Sequence, residues 1–240
     1  MHTIAMIGRR GGTGKTTLSV LLSSAAAFAG HRSVVIDLDP MQGATHWYDH
    51  RQAHTPLAVG LTVLTKAPIA ENWAADGPEW IGLSEQEEAA TSISLLINEA
   101  KAKKADFVVI DTATNDHLTS VVAASAADVV LIPCRVGSPG IDLDELDTTL
   151  SLVRTLRKPI YVIPNAVSVR GLNKEMSEKL AKLGAWVAPH YVTNRAAFAK
   201  GIDDWAQLET HDAGKEIQAL YAWLCDVLGM PPCGNAWKAA

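Results

Sequence analysis

Short apolar runs recur along the chain and alternate with longer stretches of helical spacing. Seven of these runs are bounded by Gly, Pro or Asp: Thr3–Ile7, Ser33–Ile36, Leu61–Leu64, Phe107–Ile110, Val129–Ile132, Ile160–Ile163 and Ala185–Ala188. Several are continuously apolar, which is typical of strands that are covered on both faces. The pattern predicts an α/β fold with a doubly wound, mostly parallel sheet flanked by helices.

Four stretches have the spacing of helices: Thr16–Ala29, Ser92–Lys103, Asp142–Leu156 and Asp212–Leu228. The first is rich in Ala, Leu and Ser and ends at Gly30, a residue that commonly terminates helices. The last carries its apolar residues on one face and is stopped by Pro231 and Pro232. We therefore expect a closing helix around 212–229.

The stretch Pro68–Glu88 is the least regular part of the sequence. It contains Pro, Gly and the tryptophans Trp73 and Trp80, and we interpret it as a surface excursion around 68–90. No internal repeat is visible, and 240 residues with 48% hydrophobic content can bury one sizeable core. We expect a single domain over residues 1–240.

Composition restricts the environment of the protein and its partners. The formal net charge of -5 argues against a surface that is basic throughout, so any DNA binding should be local or conditional. Cys134, Cys225 and Cys233 form no Cys-x-x-Cys pair, which fits a reducing compartment without a zinc or iron–sulfur site. We find no signal segment and no unbroken apolar run of about 18 residues, and we expect a cytoplasmic protein.

A glycine-rich loop between the first apolar run and the first helix carries the clearest chemistry. Its glycines let backbone N–H groups and the helix N-terminus approach an anion closely. The tighter form of the phosphate-loop pattern, Gly11-Gly12-Thr13-Gly14-Lys15-Thr16, follows Gly8 and predicts a triphosphate site in which Lys15 reaches the β- and γ-phosphates and Thr16 binds Mg²⁺. The expected contacts are Gly11, Gly12, Thr13, Gly14, Lys15, Thr16 and Thr17.

Carboxylates follow two other predicted strands. Asp37 and Asp39 come at the end of the second apolar run, and Asp111 follows the run Phe107–Ile110. Because alternate strand residues share a face, we expect Asp37 and Asp39 to point the same way and to serve Mg²⁺ and an attacking water. Asp111 is expected to be a second carboxylate for the metal. The alternatives are an Asp that caps a helix and an ordinary turn Asp.

Together these segments resemble the ParA/MinD family of deviant Walker A ATPases, and small plasmid-partition ParA proteins in particular. The resemblance covers most of the chain and rests on four segments: Arg10–Thr17, Asp37–Pro40, Ile110–Asp111, and Val130–Pro133 with the following Ser138–Pro139. It implies an ATP-bound homodimer and slow hydrolysis that a partner protein stimulates. It also implies that Asp39 positions the water, and that Pro164–Asn165 and Pro189–His190 build the adenine pocket.

The sequence departs from the family pattern at three points. The family's signature lysine, which contacts the partner subunit's nucleotide, is replaced by Arg10. Arginine is always protonated and can bind phosphate bidentately, so we expect Arg10 to act across a dimer interface; the alternative is a solvated loop residue. Asp111 is followed by Thr112–Thr114 instead of a Pro- or Gly-containing turn, and Asn115 and Asp116 are candidates to report the γ-phosphate. Met41 is inserted before Gln42.

The resemblance further implies binding of nonspecific DNA by the ATP-bound dimer. A phosphate-binding patch needs several cations on one face, and our candidates lie late in the chain: Arg170, Lys174, Lys179, Lys182, Arg195, Lys200 and Lys215. Arg195 and Lys200 are preferred, because the segment from Asn194 to Gly201 resembles small plasmid-partition ATPases. Each cation taken singly is also compatible with an ordinary solvated face. The expected partner is a small centromere-binding or cargo-adaptor protein, and the expected location is the nucleoid of a bacterium.

Two other functions share this core. A membrane-positioning ATPase like MinD needs a basic amphipathic C-terminal helix, and this helix offers only Lys215 among acidic neighbours, so no membrane partner is expected. A metabolic or cluster-handling enzyme is the second alternative. Cys134 alone cannot hold a cluster and is better explained as a buried thiol. His46 and His50 have no third ligand nearby for a metal site.

Overall fold

A parallel sheet forms the centre of the molecule. The computed structural model describes residues 1–50, 61–65, 85–136, 143–168, 170–172, 174–195, 198 and 211–231. The strands within these ranges are β1 His2–Met6, β2 Ser33–Asp37, β3 Leu61–Thr65, β4 Phe107–Asp111, β5 Val129–Arg135, β6 Ile160–Asn165 and β7 Trp186–Val187. Their spatial order is β3-β2-β4-β1-β5-β6-β7, and all neighbouring pairs are parallel.

Helices connect the strands. Their bounds are α1 Lys15–Phe28, α2 Gly43–His50, α3 Glu85–Ala102, α4 His117–Ala126, α5 Leu143–Val153, α6 Lys174–Lys182 and α7 Asp212–Leu228. A 3-10 turn, Arg154–Leu156, extends α5. Helix α7 ends at Gly229, whose φ of 63° is easily adopted by glycine.

Both faces of the sheet are covered, which explains why the strand sequences are continuously apolar. Ile4 and Met6 of β1 belong to a core shared with α1 and α7, whereas Ala5 and Ile7 belong to a core shared with α3, α4, α5 and α6. Every residue of β2 and β4 is buried. Successive side chains therefore enter different helical layers, and no position on these central strands favours a polar residue except at the strand end.

The structure confirms the predicted fold class. All seven apolar runs are strands, and the closing helix occupies residues 212–228, as its apolar spacing indicated. The expectation of a single domain over 1–240 stays a prediction, because the described residues do not cover the whole chain.

The predicted surface excursion around 68–90 is wrong at its C-terminal end. Residues from Glu85 onward belong to α3, which begins seven residues before the predicted start at Ser92. The first turns of this helix are rich in Glu and lack apolar spacing, so the periodicity detects only the later part. Trp73 and Trp80 lie outside the described residues.

Candidate nucleotide site

The candidate site lies at the carboxyl ends of the central strands. Because the sheet is parallel, the loops that follow β1, β2, β4, β5 and β6 all leave it at the same edge. The register pairs Asp111 of β4 with Met6 on one side and with Asp37 on the other. The loop after β1 and the two strand-end carboxylates are therefore neighbours in space.

The loop between β1 and α1 has the geometry of a phosphate cradle. Gly12 and Gly14 adopt φ values of 73° and 101°, which residues with a Cβ rarely reach. The first helical hydrogen bond runs from the Leu18 N–H to the Gly14 carbonyl, so the N–H groups of the preceding turn have no helical acceptor. A helix N-terminus of this kind binds anions.

Lys15 is buried beneath this loop. Its Nζ donates to Thr114 Oγ1 at 3.1 Å and to the Arg10 carbonyl at 3.4 Å. Burial lowers the pKa of the Lys15 ammonium, while the nearby carboxylates of Asp111 and Asp39 oppose that shift. The ammonium is thus held at the cradle, within the field of two of the predicted carboxylates.

Asp111 is completely buried at the end of β4. Its Oδ1 accepts a hydrogen bond from Ser19 Oγ at 3.2 Å, whereas Oδ2 is buried without a hydrogen-bond partner. Burial raises the pKa of Asp111 to about 7, and the Asp37 carboxylate contributes in the same direction against the hydroxyls of Thr16 and Ser19. A buried carboxylate oxygen of this kind needs a cation or a proton.

Asp37 and Asp39 have different surroundings. Asp37 Oδ2 accepts from the N–H and the hydroxyl of Thr45, both at 2.9 Å, and Oδ1 accepts from the Asp39 N–H at 3.2 Å. Asp39 lies beyond the last residue of β2 and accepts from the Met41 N–H at 2.9 Å. The expectation based on alternation along a strand therefore does not apply to Asp39, because the chain has already left the strand there.

The residues at this edge fit Mg²⁺ bound together with a nucleotide. The orphaned Oδ2 of Asp111 is the observation that supports the fit, and Thr16 and Asp37 lie beside it. Among the described residues no cluster of three or more His, Cys, Asp or Glu side chains could hold a metal. Mg²⁺ typically uses one or two carboxylates together with phosphate oxygens and water.

Asn165 lies against the phosphate loop. Its Nδ2 donates to the Thr13 carbonyl at 2.7 Å, and a Cβ at Gly14 would collide with the same nitrogen. Pro189 is exposed, in a segment joined to β6 by hydrogen bonds from the Ala188 and Val192 N–H groups. The adenine pocket at Asn165 and Pro189 stays a prediction.

Two arginines lie at this loop: Arg10 within it and Arg135 beside it. Arg10 is exposed, and the side chain of the adjacent Arg9 pairs with Glu145 at 3.5 Å. Arg135 is the exposed last residue of β5, and its Nη1 lies 3.8 Å from the position that a Cβ on Gly12 would take. Arg135 was not among the predicted site residues. The available signal was a cation three residues after the predicted strand Val129–Ile132, close to the edge of the sheet where ligands bind.

The predicted DNA-binding cations have unequal surroundings. Arg195 pairs with Glu216 at 3.1 Å and with Asp212 at 3.7 Å, so its guanidinium is already occupied by acidic partners. Arg170 is exposed in the loop after β6, and Lys200 lies outside the described residues. Three of the other candidates, Lys174, Lys179 and Lys215, pair with acidic residues on their own helices. DNA binding by these residues stays a prediction.

Comparison with known proteins agrees with this geometry. The family model described as ATPase MipZ matches residues 2–163. The sporulation initiation inhibitor protein Soj of Bacillus subtilis is 30% identical over 169 residues, which cover 65% of this chain and 66% of Soj, slightly under two thirds of its length. The chromosome partitioning protein ParA of Caulobacter vibrioides is 27% identical over 201 residues, 76% of this chain and 74% of ParA.

A solved structure shows the same fold. The ATP complex of a Cyanothece McdA variant superposes with a TM-score of 0.68 at 16% identity and covers 96% of this chain and 97% of McdA. The match to the MipZ model extends from β1 into β6 and includes the phosphate loop and the three carboxylates. The chain belongs to the MipZ family of ATPases, within the ParA/MinD group of P-loop proteins.

Proposed function

We propose that the chain is an ATPase that dimerises with ATP, binds nonspecific DNA in that state, and positions or segregates DNA or another cargo. The observation that carries the proposal is the convergence of buried Lys15 with Asp37, Asp39 and Asp111 at one edge of the sheet. The name of the Caulobacter vibrioides relative, chromosome partitioning protein ParA, supports chromosome partitioning as the cellular function. A small centromere-binding or cargo-adaptor protein would stimulate a slow hydrolysis, and the site of action would be the bacterial nucleoid.

The site residues would have two roles: some would bind the nucleotide and Mg²⁺, and Asp39 would orient the attacking water. The N–H groups of the loop and Lys15 would hold the phosphates, and Thr16 with Asp111 would hold Mg²⁺. Asp37 would act through water, because both of its oxygens already accept hydrogen bonds. Bound Mg²⁺ would neutralise the charge of the β- and γ-phosphates. Asp39 is half-buried and would orient the attacking water.

The DNA-binding part of the proposal is best supported at Arg170. Arg170 lies in the loop that follows β6, and loops after strands leave the sheet at the edge of the nucleotide site. An exposed cation on this edge can respond to the nucleotide state and can neutralise a DNA phosphate. Arg195 is less suited, since Glu216 and Asp212 already neutralise it.

A titration of labelled duplex DNA with no nucleotide, with ADP, and with ATP and Mg²⁺ tests the proposal. We expect binding with ATP only, and we expect it to weaken steeply with salt because phosphate contacts release counterions. Asp39→Ala should bind ATP and DNA but release no phosphate in a hydrolysis assay. Binding that is absent in all three nucleotide conditions would refute the DNA-binding part.

Matched arginine and lysine variants locate the DNA-binding face. Arg170→Ala should weaken DNA binding and reduce its salt dependence. Lys101→Ala removes an exposed cation near the end of α3, which leads into the opposite edge of the sheet, and should bind DNA as the wild type does. Equal weakening by both variants would indicate a general charge effect and would argue against a defined face.

The membrane-positioning alternative receives no support from α7. Its apolar residues Ile217, Leu220, Tyr221 and Leu224 are buried in the core shared with α1, so this apolar face is already covered. Within the part of the chain that the structure describes, no helix combines the length and apolar character needed to cross a bilayer.

A further inference from the structure

The segment that joins β4 to α4 is anchored at both ends. Thr112 Oγ1 donates to the Met6 carbonyl at 2.9 Å in the core, which fixes the start of the segment to β1. Asp116 Oδ1 accepts from the Thr119 N–H at 2.9 Å and caps α4. Residues 113–115, here called the switch segment, form the span between these anchors, and Asn115 adopts a φ of 63°.

Thr114 connects the switch segment to the nucleotide site. Its Oγ1 accepts from Lys15 Nζ at 3.1 Å, and the other acceptor of Lys15 among the described residues is the longer contact to the Arg10 carbonyl at 3.4 Å. A buried ammonium needs acceptors, because each missing hydrogen bond leaves a desolvated charge uncompensated. The Thr114 hydroxyl therefore provides the shorter of the two bonds that replace water around Lys15.

We propose that Thr114 senses the nucleotide: its hydroxyl holds Lys15 in the nucleotide-free protein, and bound phosphate oxygens replace that hydroxyl and free the switch segment. This inference rests on the proposed nucleotide binding. Phosphate oxygens are stronger acceptors for an ammonium than a hydroxyl, because the hydrogen bond is then charged on both sides. Asp116, one of the two residues that the sequence suggested for this role, is instead engaged as the cap of α4.

The consequence of the exchange is a link between phosphate binding and α4. The switch segment leads directly into the first turn of α4, whose residues Val122, Ala123 and Ala124 pack in the core shared with α3 and α5. Release of Thr114 would loosen the three residues between the two anchors. Thr114 is a positioning residue in this scheme, because it acts through Lys15.

Calorimetric titration of Thr114→Val with ATP and with ADP, each with Mg²⁺, tests the inference. Valine keeps the shape but cannot hold Lys15, so the nucleotide-free state loses a competing hydrogen bond and both nucleotides should bind about tenfold more tightly. Thr114→Ser keeps the hydroxyl and should bind like the wild type. Thr148→Val makes the same change on an exposed face of α5 and should leave both affinities unchanged.

Amide hydrogen exchange over residues 113–120 provides a second measurement. In the wild type, nucleotide should increase exchange in the switch segment; in Thr114→Val, exchange should be high already and unaffected by nucleotide. If Thr114→Val does not fold, Thr114→Ala with Thr114→Ser gives the same comparison. Wild-type affinity in the hydroxyl-free variants would overturn the inference and leave the proposed function intact. A wild-type protein that binds neither nucleotide would overturn both.

Discussion

Asp111 is a buried carboxylate at the position where the proposed Mg²⁺ would bind. It lies at the end of a fully buried strand, with one oxygen bonded to Ser19 and the other without a partner. In the absence of a metal, desolvation raises the pKa of this group from 3.8 to about 7. The free protein should therefore carry a measurable signature of this residue in the pH dependence of its stability.

Metal-free and nucleotide-free protein should lose stability as the pH rises from about 4 to about 7. Over this range the unfolded chain has released the Asp111 proton while the folded chain still holds it, so folding takes up a proton and becomes less favourable as protons become scarce. The difference between 3.8 and about 7 corresponds to at most about 4 kcal/mol. Denaturant unfolding in the presence of a chelator, across this pH range, measures the effect.

Substitution separates Asp111 from the other titrating groups. Asp111→Asn should abolish this part of the pH dependence and should be more stable than the wild type above about pH 7, because the amide carries no charge to bury. Asp226→Asn changes an exposed carboxylate on α7 and should retain the wild-type profile. Parallel profiles for Asp111→Asn and the wild type would show that the pH dependence originates elsewhere.

The contact between α7 and the segment after β7 depends on Glu216. Its carboxylate accepts from the Thr193 N–H at 2.8 Å and the Thr193 hydroxyl at 2.9 Å, and it pairs with Arg195 at 3.1 Å. We expect Glu216→Ala to lower the free energy of unfolding by about 2 kcal/mol, because it leaves buried Thr193 donors unsatisfied. Urea unfolding measures this change.

Lys215 is the matched control on the same helix. Its side chain is 69% exposed and pairs with Asp212, so Lys215→Ala should change the free energy of unfolding by less than about 0.5 kcal/mol. Arg195→Ala should act like Glu216→Ala, with reduced stability and unchanged DNA affinity. Reduced DNA affinity at wild-type stability would instead restore Arg195 as a phosphate-binding residue.

The accuracy of the sequence prediction differed between strands and helices for a physical reason. A strand buried on both faces has to be apolar at consecutive positions, so β2 and β4 were visible as apolar runs. Helix α6 has a single buried residue, Leu180, and most of its other positions are polar, so its spacing carries little signal. The beginning of α3 escaped prediction because glutamates dominate its first turns.

The site divides in a similar way into predictable and unpredictable parts. The parallel sheet dictates that Lys15, Asp37 and Asp111 meet at one edge, so their proximity could be predicted from strand order and motif alone. The partners of these side chains could not. Asp37 binds Thr45, and Asn165 binds the Thr13 carbonyl 152 positions away, and both contacts depend on loop paths that no local pattern specifies.

Arg10 stands where the family has its signature lysine, and this replacement should have its clearest effect on the association of two copies of the chain. Arg10 is exposed in the phosphate loop, and apart from Gly11 itself and its two chain neighbours no described atom lies within 4 Å of a Cβ built on the adjacent Gly11. A guanidinium at this position can bind the phosphates of a second copy's nucleotide bidentately. Sedimentation with ATP and Mg²⁺ should show a wild-type dimer and an Arg10→Ala monomer.

Two further variants make the dimer prediction specific. Arg10→Lys restores the residue found in the family and should dimerise, because a lysine can reach the same phosphates as a point charge. Arg32→Ala removes an exposed arginine just before β2, at the edge of the sheet opposite the nucleotide site, and should also dimerise. A dimer that persists in Arg10→Ala would show that Arg10 is a solvated loop residue. Arg135, beside Gly12, would then be the remaining arginine at this part of the loop to test for a contact between subunits.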